Sequence, residues 1–409
     1  MMTLPKQLEI ADFSYDLPLE RIASHPLKQR DMSKLLVSQP EKEISGDLFK
    51  NIATYLPSNS LMVFNNTRVV QARLKFKKPT GATIEIFCLE PVEPVNQIEQ
   101  AFSQPAPVIW KCFVGNAKKW KNGCLNIELP HGLLTAEKVK QEGAIWYVKF
   151  SWHPAALTWA EVLEVVGRVP LPPYIKRDEE PDDKLRYQTV FARKDGSVAA
   201  PTAGLHFTDR VFDALNEKFI RKAFTTLHVG AGTFKPVKSS LVHLHEMHQE
   251  QIAVDYQLLE NLAQYTGSNI TAVGTTTVRT LESIYWYANA LVYNSQAPFF
   301  IQQWQPYQQK AKLTRQQALE LLMDKMKKEN EEVLQGVTQM MIAPGYQYRM
   351  LNAMVTNFHQ PQSTLLLLVA AFVGNRWKEA YQYALSHDFR FLSYGDACLF
   401  FPDTKDLVR

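Results

Sequence analysis

Apolar and polar positions follow two different rhythms along this chain. Between about residues 69 and 152 the apolar residues alternate in short runs, over 71–76, 83–89, 108–114, 124–129 and 144–150. Turn signals such as Pro79-Thr80-Gly81 and Lys121-Asn122-Gly123 separate them, so this stretch reads as short antiparallel strands forming a small β-barrel. On either side, strand-like and helix-like periods mix. Strands are expected over 35–38, 61–64, 223–229, 269–273, 353–358 and 391–401, and helices over 48–56, 159–166, 256–265, 313–333, 364–372 and 376–386. Such alternation predicts an α/β main domain with a largely internal sheet. Because the barrel pattern begins and ends beside α/β sequence, it reads as an insertion: 1–68 and 153–409 form a discontinuous α/β domain, and 69–152 an inserted antiparallel β-barrel.

The organising stretch is 201–236, PTAGLHFTDRVFDALNEKFIRKAFTTLHVGAGTFKP, where two turns bearing glycine and histidine bracket one short helix. Thr208 suits the N-cap of that helix, whose apolar side carries Val211, Phe212, Leu215 and Phe219. The strand after it runs into Gly230-Ala231-Gly232, where the backbone can turn tightly and approach a ligand. Unpaired N–H groups at a helix start suit an anion or a nucleotide edge. Taken singly, the glycines could only make turns, and His206 and His228 could be hydrogen-bonded core residues; together the two turns favour a site.

Composition narrows the class. The 409 residues are 46% hydrophobic and 21% charged, as in an ordinary globular protein, and the longest apolar run, 365–373, is too short to span a membrane. The start MMTLPKQLEIADF lacks a signal-peptide pattern, so a cytoplasmic protein is expected. Cys88, Cys112, Cys124 and Cys398 show no C-x-x-C spacing and read as reduced thiols, mostly buried. The net charge is +4, but residues 68–150 hold 12 Lys and Arg against 7 Glu and no Asp, so the surplus is local and suits a polyanionic partner.

Several motifs carry candidate chemistry. His243, His245 and His248 have the spacing of a metal cluster, although no fourth ligand stands near them. Gly274-Thr275-Thr276-Thr277-Val278-Arg279 sets hydroxyls, amides and a guanidinium at a helix start, able to grip a carboxylate or phosphate; the plainer arrangement pairs Arg279 with Glu282. Thr356-Asn357-Phe358-His359 and Ser393-Tyr394-Gly395-Asp396 each place polar groups at a strand end, where α/β sheets hold their sites. No G-x-S-x-G, Walker loop or complete G-x-G-x-x-G is present, which argues against a serine hydrolase, a P-loop enzyme or an ordinary dinucleotide enzyme.

Taken in order, DFSYDLP, NNTRV, PLPPYI, YQTVFA, AAPTAGLHF, TLHVGAGTFKPV, HEMHQE, GTTTVRTLES, PGYQY, VTNFHQPQSTLLLLV and SYGDA resemble the S-adenosylmethionine:tRNA ribosyltransferase-isomerases of queuosine biosynthesis, from Asp12 to Ala397. Residues 288–340, with their charged amphipathic helix, look like an insertion longer than this family usually carries. The resemblance implies an α/β domain with an inserted barrel. It also implies transfer of the ribosyl part of S-adenosylmethionine to a 7-aminomethyl-7-deazaguanine in tRNA and its rearrangement to epoxyqueuosine, with adenine and methionine released. S-adenosylmethionine would be a co-substrate, with no prosthetic group and no metal; tRNA, through its anticodon loop, would be the partner, and the protein a monomer.

The chemistry asks for a base at the C–H acidified by the sulfonium and an acid for the departing adenine, and histidine serves either purpose near neutral pH. From motif membership and side-chain type, His206, His228 and His359 are expected as the acid and base groups, with Asp396 orienting one of them. Thr275, Thr276, Thr277 and Arg279 would hold the methionine carboxylate; Thr202, Gly204, Gly230 and Gly232 would line the nucleoside, and His245, Glu246 and His248 become substrate contacts. Arg68, Arg73, Lys75, Lys77, Lys78, Lys118, Lys119 and Lys121 are the expected tRNA phosphate contacts, with Trp110, Trp120 and Trp152 available for base stacking. Two other classes stay open: an RNA-binding protein with an inert nucleotide pocket, and a metal-dependent hydrolase built on the histidine cluster.

Overall fold

Four strands, Arg221–Leu227, Leu61–Asn65, Ile270–Val273 and Ala353–Asn357, run parallel and side by side through the centre of the protein. The last three are wholly buried, as continuous runs such as Leu-Met-Val-Phe require of a sheet covered on both faces, whereas Arg221–Leu227 begins with exposed residues and is buried in its second half. The computed structural model describes residues 2, 4–230, 237, 239–267 and 269–402. Among them the main sheet has ten strands and is mixed, because Ala397–Phe400 lies antiparallel to Ala353–Asn357 on one side and Glu250–Asp255 antiparallel to Arg221–Leu227 on the other.

The helix Thr275–Tyr293 is buried on nearly every face, so its polar side chains need partners inside the protein. Glu282 shows how this is met: its carboxylate accepts the hydroxyl of Tyr346 at 2.7 Å and the backbone N–H groups of Arg349 and Met350. Glu282 is therefore not the partner of Arg279. Residues 288–340 are built into this layer. Phe300–Ile301 and Val333–Thr338 join the sheet, and Arg315–Glu329 lays Ala318, Leu319, Leu322 and Met326 against the core. That helix stops at Asn330 in the left-handed conformation, earlier than the apolar pattern suggests, and the pattern continues as a strand.

Inserted between these elements, six strands from Arg73 to His153 form an antiparallel sheet whose two edge strands, Arg73–Lys77 and Leu125–Leu129, approach each other, so that it is a nearly closed barrel. Alternation is plain in Arg73–Lys77, where Leu74 and Phe76 face inward and Arg73, Lys75 and Lys77 outward. The strand Gly132–Glu142 goes beyond the five runs expected, because its second half projects away from the core and carries charged residues at most positions. Trp110, Trp120 and Trp152 are packed inside this unit, which corrects their assignment as stacking platforms. One further difference concerns Phe219: the helix Asp209–Glu217, capped by Thr208 as expected, ends before it, and Phe219 stands 71% exposed with φ of 57°.

Candidate functional site

Parallel strands deliver their carboxyl ends to one edge of a sheet, so residues far apart in sequence meet there. In this protein Leu227 leads into His228, Val273 into Gly274, and Asn357 into His359, all at one edge. Residues 393–396 precede the antiparallel strand Ala397–Phe400 and so arrive at the same edge, as do Ser33 before Lys34–Ser38 and Glu250 at the start of Glu250–Asp255.

A cavity of about 160 Å³ opens here. Its walls are residues 199–203, 274–276 and 356–365, with Val229, Tyr174, Tyr187 and Ser393. Three of the expected motifs, PTAGLH, GTTT and TNFH, therefore share one space, and SYGDA borders it through Ser393. Asn65 of the NNTRV motif lies beside it, its side-chain N–H donating to the Leu227 carbonyl at 2.9 Å and toward Thr276 Oγ1 at 3.4 Å. Gly274 turns into the helix with φ of 89°, a backbone a side chain would strain, and Thr275 and Thr276 of the first helical turn line the cavity.

His359 forms part of the wall. Its Nε2 lies 2.8 Å from Thr356 Oγ1, its backbone N–H donates to Tyr381 and its carbonyl accepts the Tyr15 hydroxyl. Burial lowers its pKa to about 3, so the imidazole is neutral near pH 7. His206 sits behind the cavity, in a hollow with Arg30, Ser33 and Arg390. Its Nδ1 is 2.8 Å from Ser33 Oγ and its Nε2 3.2 Å from Asn357 Nδ2. Burial, reinforced by the charge of Arg390, lowers its pKa to about 3 as well. Ser33 had no signal in the sequence beyond preceding a strand.

His228 is brought to the right edge but not into the cavity. It is buried against the barrel unit, with Nε2 3.6 Å from Glu99 and Nδ1 close to Gly196, and it holds the Glu99 carboxyl below its ordinary range. Asp396 does not orient a histidine. Its carboxylate accepts the backbone N–H of Lys34 at 3.0 Å and of Arg390 at 2.7 Å, and it pairs with the Arg390 guanidinium at 3.4 Å. The groups that position the imidazoles are instead the neutral side chains of Ser33, Asn357 and Thr356.

Thr202, Thr275 and Thr276 line the cavity, whereas Thr277 is fully buried with its hydroxyl on the Val273 carbonyl. Thr275 and Thr276 also border a smaller pocket with Arg279, His248, Glu250, Met247 and Met340. Arg279 pairs there with Glu250 and donates to the Met340 carbonyl at 3.2 Å, while His248 Nε2 lies 3.1 Å from Glu250. Burial alone would raise the Glu250 carboxyl, yet Arg279 and His248 outweigh it and bring its pKa down to about 2. Glu250 is a functional candidate that sequence reasoning passed over, since only sheet register reveals that it faces Arg279. Burial and the neighbouring His248 lower the pKa of His245. Among the described residues no three His, Cys, Asp or Glu side chains converge to hold a metal ion, and His243, His245 and His248 do not do so. Gly204 is tight against Phe191 and Thr189, so its missing side chain serves packing; Gly230 is open, and Gly232 lies outside the described residues.

The basic residues divide into two sets. Arg68, Arg73 and Lys75 stand opposite Asp195, Glu85 and Asp178. Lys77, Lys78, Lys118, Lys119 and Lys121 are in no ion pair among the described residues, and Lys78 Nζ donates to the Lys119 carbonyl, which sets Lys78 beside the 117–119 turn. Lys138 also lies beside this turn, with Nζ 5.0 Å from the centre of the Trp120 ring.

Residues 10–400 match the model of a family described as queuosine biosynthesis protein. An S-adenosylmethionine:tRNA ribosyltransferase-isomerase from Magnetococcus marinus is 36% identical over 97% of this chain and 95% of its own length. One from Stenotrophomonas maltophilia is 38% identical over 96% of this chain and 98% of its own. A crystal structure of S-adenosylmethionine tRNA ribosyltransferase from Thermotoga maritima is 29% identical, covering 95% of this chain and 99% of that one with a TM-score of 0.45. The chain belongs to the queuosine biosynthesis family represented by these proteins.

Proposed function

We propose that this protein transfers and isomerises the ribosyl moiety of S-adenosylmethionine onto 7-aminomethyl-7-deazaguanine in tRNA, giving epoxyqueuosine-tRNA, adenine and methionine. The observation that carries this reading is the shared cavity at the carboxyl edge of the sheet, where residues 199–203, 274–276 and 356–359 meet. Within it, His359 is the acid–base group. Burial keeps its lone pair free for the proton that the sulfonium acidifies, while making it a weak base; the same burial makes its protonated form a strong acid, suited to returning that proton to the departing adenine. His206 acts as a positioning residue that fixes Asn357, and through it Thr202.

The methionine portion is assigned to Thr275, Thr276 and Arg279. Nη2 of Arg279 is buried without a hydrogen-bond partner among the described residues, and a carboxylate would satisfy it. The lysine patch from Lys77 to Lys121 is assigned to the phosphates of tRNA, and the barrel, residues 69–152, is the RNA-binding domain. The protein works as a monomer in the cytoplasm on this reading. It is tested by digesting tRNA after incubation with the protein and S-adenosylmethionine: a nucleoside with the mass of epoxyqueuosine is expected, and unchanged precursor would refute the assignment.

A further inference from the structure

The outer side of the strand Arg221–Leu227 carries a second feature. A groove of about 750 Å³ runs beside Arg221–Leu227, lined by Arg193, Arg221, Lys222, Phe219, Phe224 and Tyr265. No acidic side chain lines it, and none of its three cations is in an ion pair among the described residues. The Arg193 guanidinium lies 5.6 Å from the Phe224 ring centre, and Lys222 Nζ 4.3 Å from that of Phe212.

The backbone leaves this groove open. Arg221–Leu227 pairs with Glu250–Asp255 only at Thr226 and Leu227, so on that side residues 221–225 have no strand neighbour among the described residues. Phe219 is the sharpest signal: a large aromatic ring is held 71% exposed by a left-handed backbone that costs an ordinary residue roughly 1 kcal/mol. The side-chain amides of Asn216, Gln257 and Asn261 complete the lining.

We propose that this groove holds a single-stranded segment of RNA, with phosphates on Arg193, Arg221 and Lys222 and a base stacked on Phe219. Charge complementarity favours a polyanion, and the exposed ring with flanking amides favours one that carries flat, hydrogen-bonding bases over an acidic peptide. The proposal rests on the reading that tRNA is the substrate, and it adds a contact made by residues outside both the cavity lining and the lysine patch of the barrel.

The test is tRNA binding by the full-length protein, measured by fluorescence anisotropy over roughly 50 to 200 mM salt. The variant Arg193→Ser/Arg221→Ser/Lys222→Ser is expected to bind about tenfold more weakly, with a log–log salt slope shallower by about two. Phe219→Asn, which suits the left-handed backbone, is expected to lose about fivefold or more. Unchanged affinity and slope in both variants would overturn the proposal. So would displacement of an acidic peptide, polyglutamate, from wild-type protein where oligouridylate displaces nothing. Adenine release by wild-type protein from an anticodon stem-loop judges the enzymatic reading separately: activity there with unaltered binding in the variants rejects the groove alone, and inactivity rejects that reading.

Discussion

The side-chain amide of Asn357 lies 3.2 Å from Nε2 of His206 and donates to it. The same nitrogen lies 3.4 Å from the Asp396 carbonyl, and the amide oxygen accepts Thr202 Oγ1 at 2.7 Å, which fixes the orientation of the amide. Nε2 of His206 is therefore an acceptor, and its proton sits on Nδ1, toward Ser33. Both ring nitrogens are engaged, and the histidine that remains in the cavity wall is His359.

The two residues should separate in mutagenesis. His359→Ala is expected to cut turnover by about 10²- to 10⁴-fold, a loss larger than its stability cost of about 1–3 kcal/mol for the unpaired Thr356 hydroxyl explains. His206→Ala leaves the buried Asn357 amide and Ser33 hydroxyl without a partner and is expected to cost about 1–3 kcal/mol of stability. Turnover assays and urea unfolding on both variants check this division.

Acid should destabilise the protein early. Unfolded, His206 and His359 take up protons near 6.5, but folded only near 3, so between these values the unfolded state binds more protons. Their contribution is intact above pH 6.5 and is lost as the pH falls toward 3, at about 1.4 kcal/mol per histidine for each pH unit. Glu250 acts in the same direction over the lower range, from its ordinary 4.5 down to about 2. Urea midpoints measured from pH 7.5 to pH about 4.5 should fall steadily, and His206→Asn should flatten the fall.

Breaking the pair of Arg279 and Glu250 should be costly. Glu250→Gln leaves the guanidinium in a buried setting without its counter-charge, and a loss of about 3–5 kcal/mol is expected, read from the urea midpoint. Arg279→Met removes the charge that faces the small pocket, and its Kd for S-adenosylmethionine should rise at least about tenfold in a titration with stabilised protein.

Local chemistry made one helix start legible: Thr208 bonds the amide of Val211, three residues on. The turns bearing TNFH and GTTT, singled out as candidates for their polar residues after a strand, line one cavity. What stayed hidden depends on register between distant segments. Glu250 meets Arg279 because an antiparallel strand brings its first residue to the carboxyl edge, and Asp396 meets Lys34 rather than an imidazole because two strands from opposite ends of the chain lie parallel. Gly132–Glu142 was hidden because half of its alternation faces solvent.

The junction between the two sheets can be probed at Gly196. With φ of 139° it is strained for any side chain, and a Cβ there would lie 2.3 Å from Ile98 Cγ2 and 2.6 Å from His228 Nδ1. Gly196→Ala should destabilise the protein by about 1–3 kcal/mol by forcing Ile98 or His228 to move. Comparing its thermal unfolding with that of Gly230→Ala, where a Cβ meets nothing within 4 Å, checks that the effect is steric.

The most direct test of the central claim is release of free adenine when the protein is mixed with S-adenosylmethionine and tRNA carrying the aminomethyl-deazaguanine. One adenine per modified tRNA, abolished on omitting the tRNA and strongly reduced in His359→Ala, is the predicted result. Adenine formed without tRNA, or no adenine from folded wild-type protein, would contradict it.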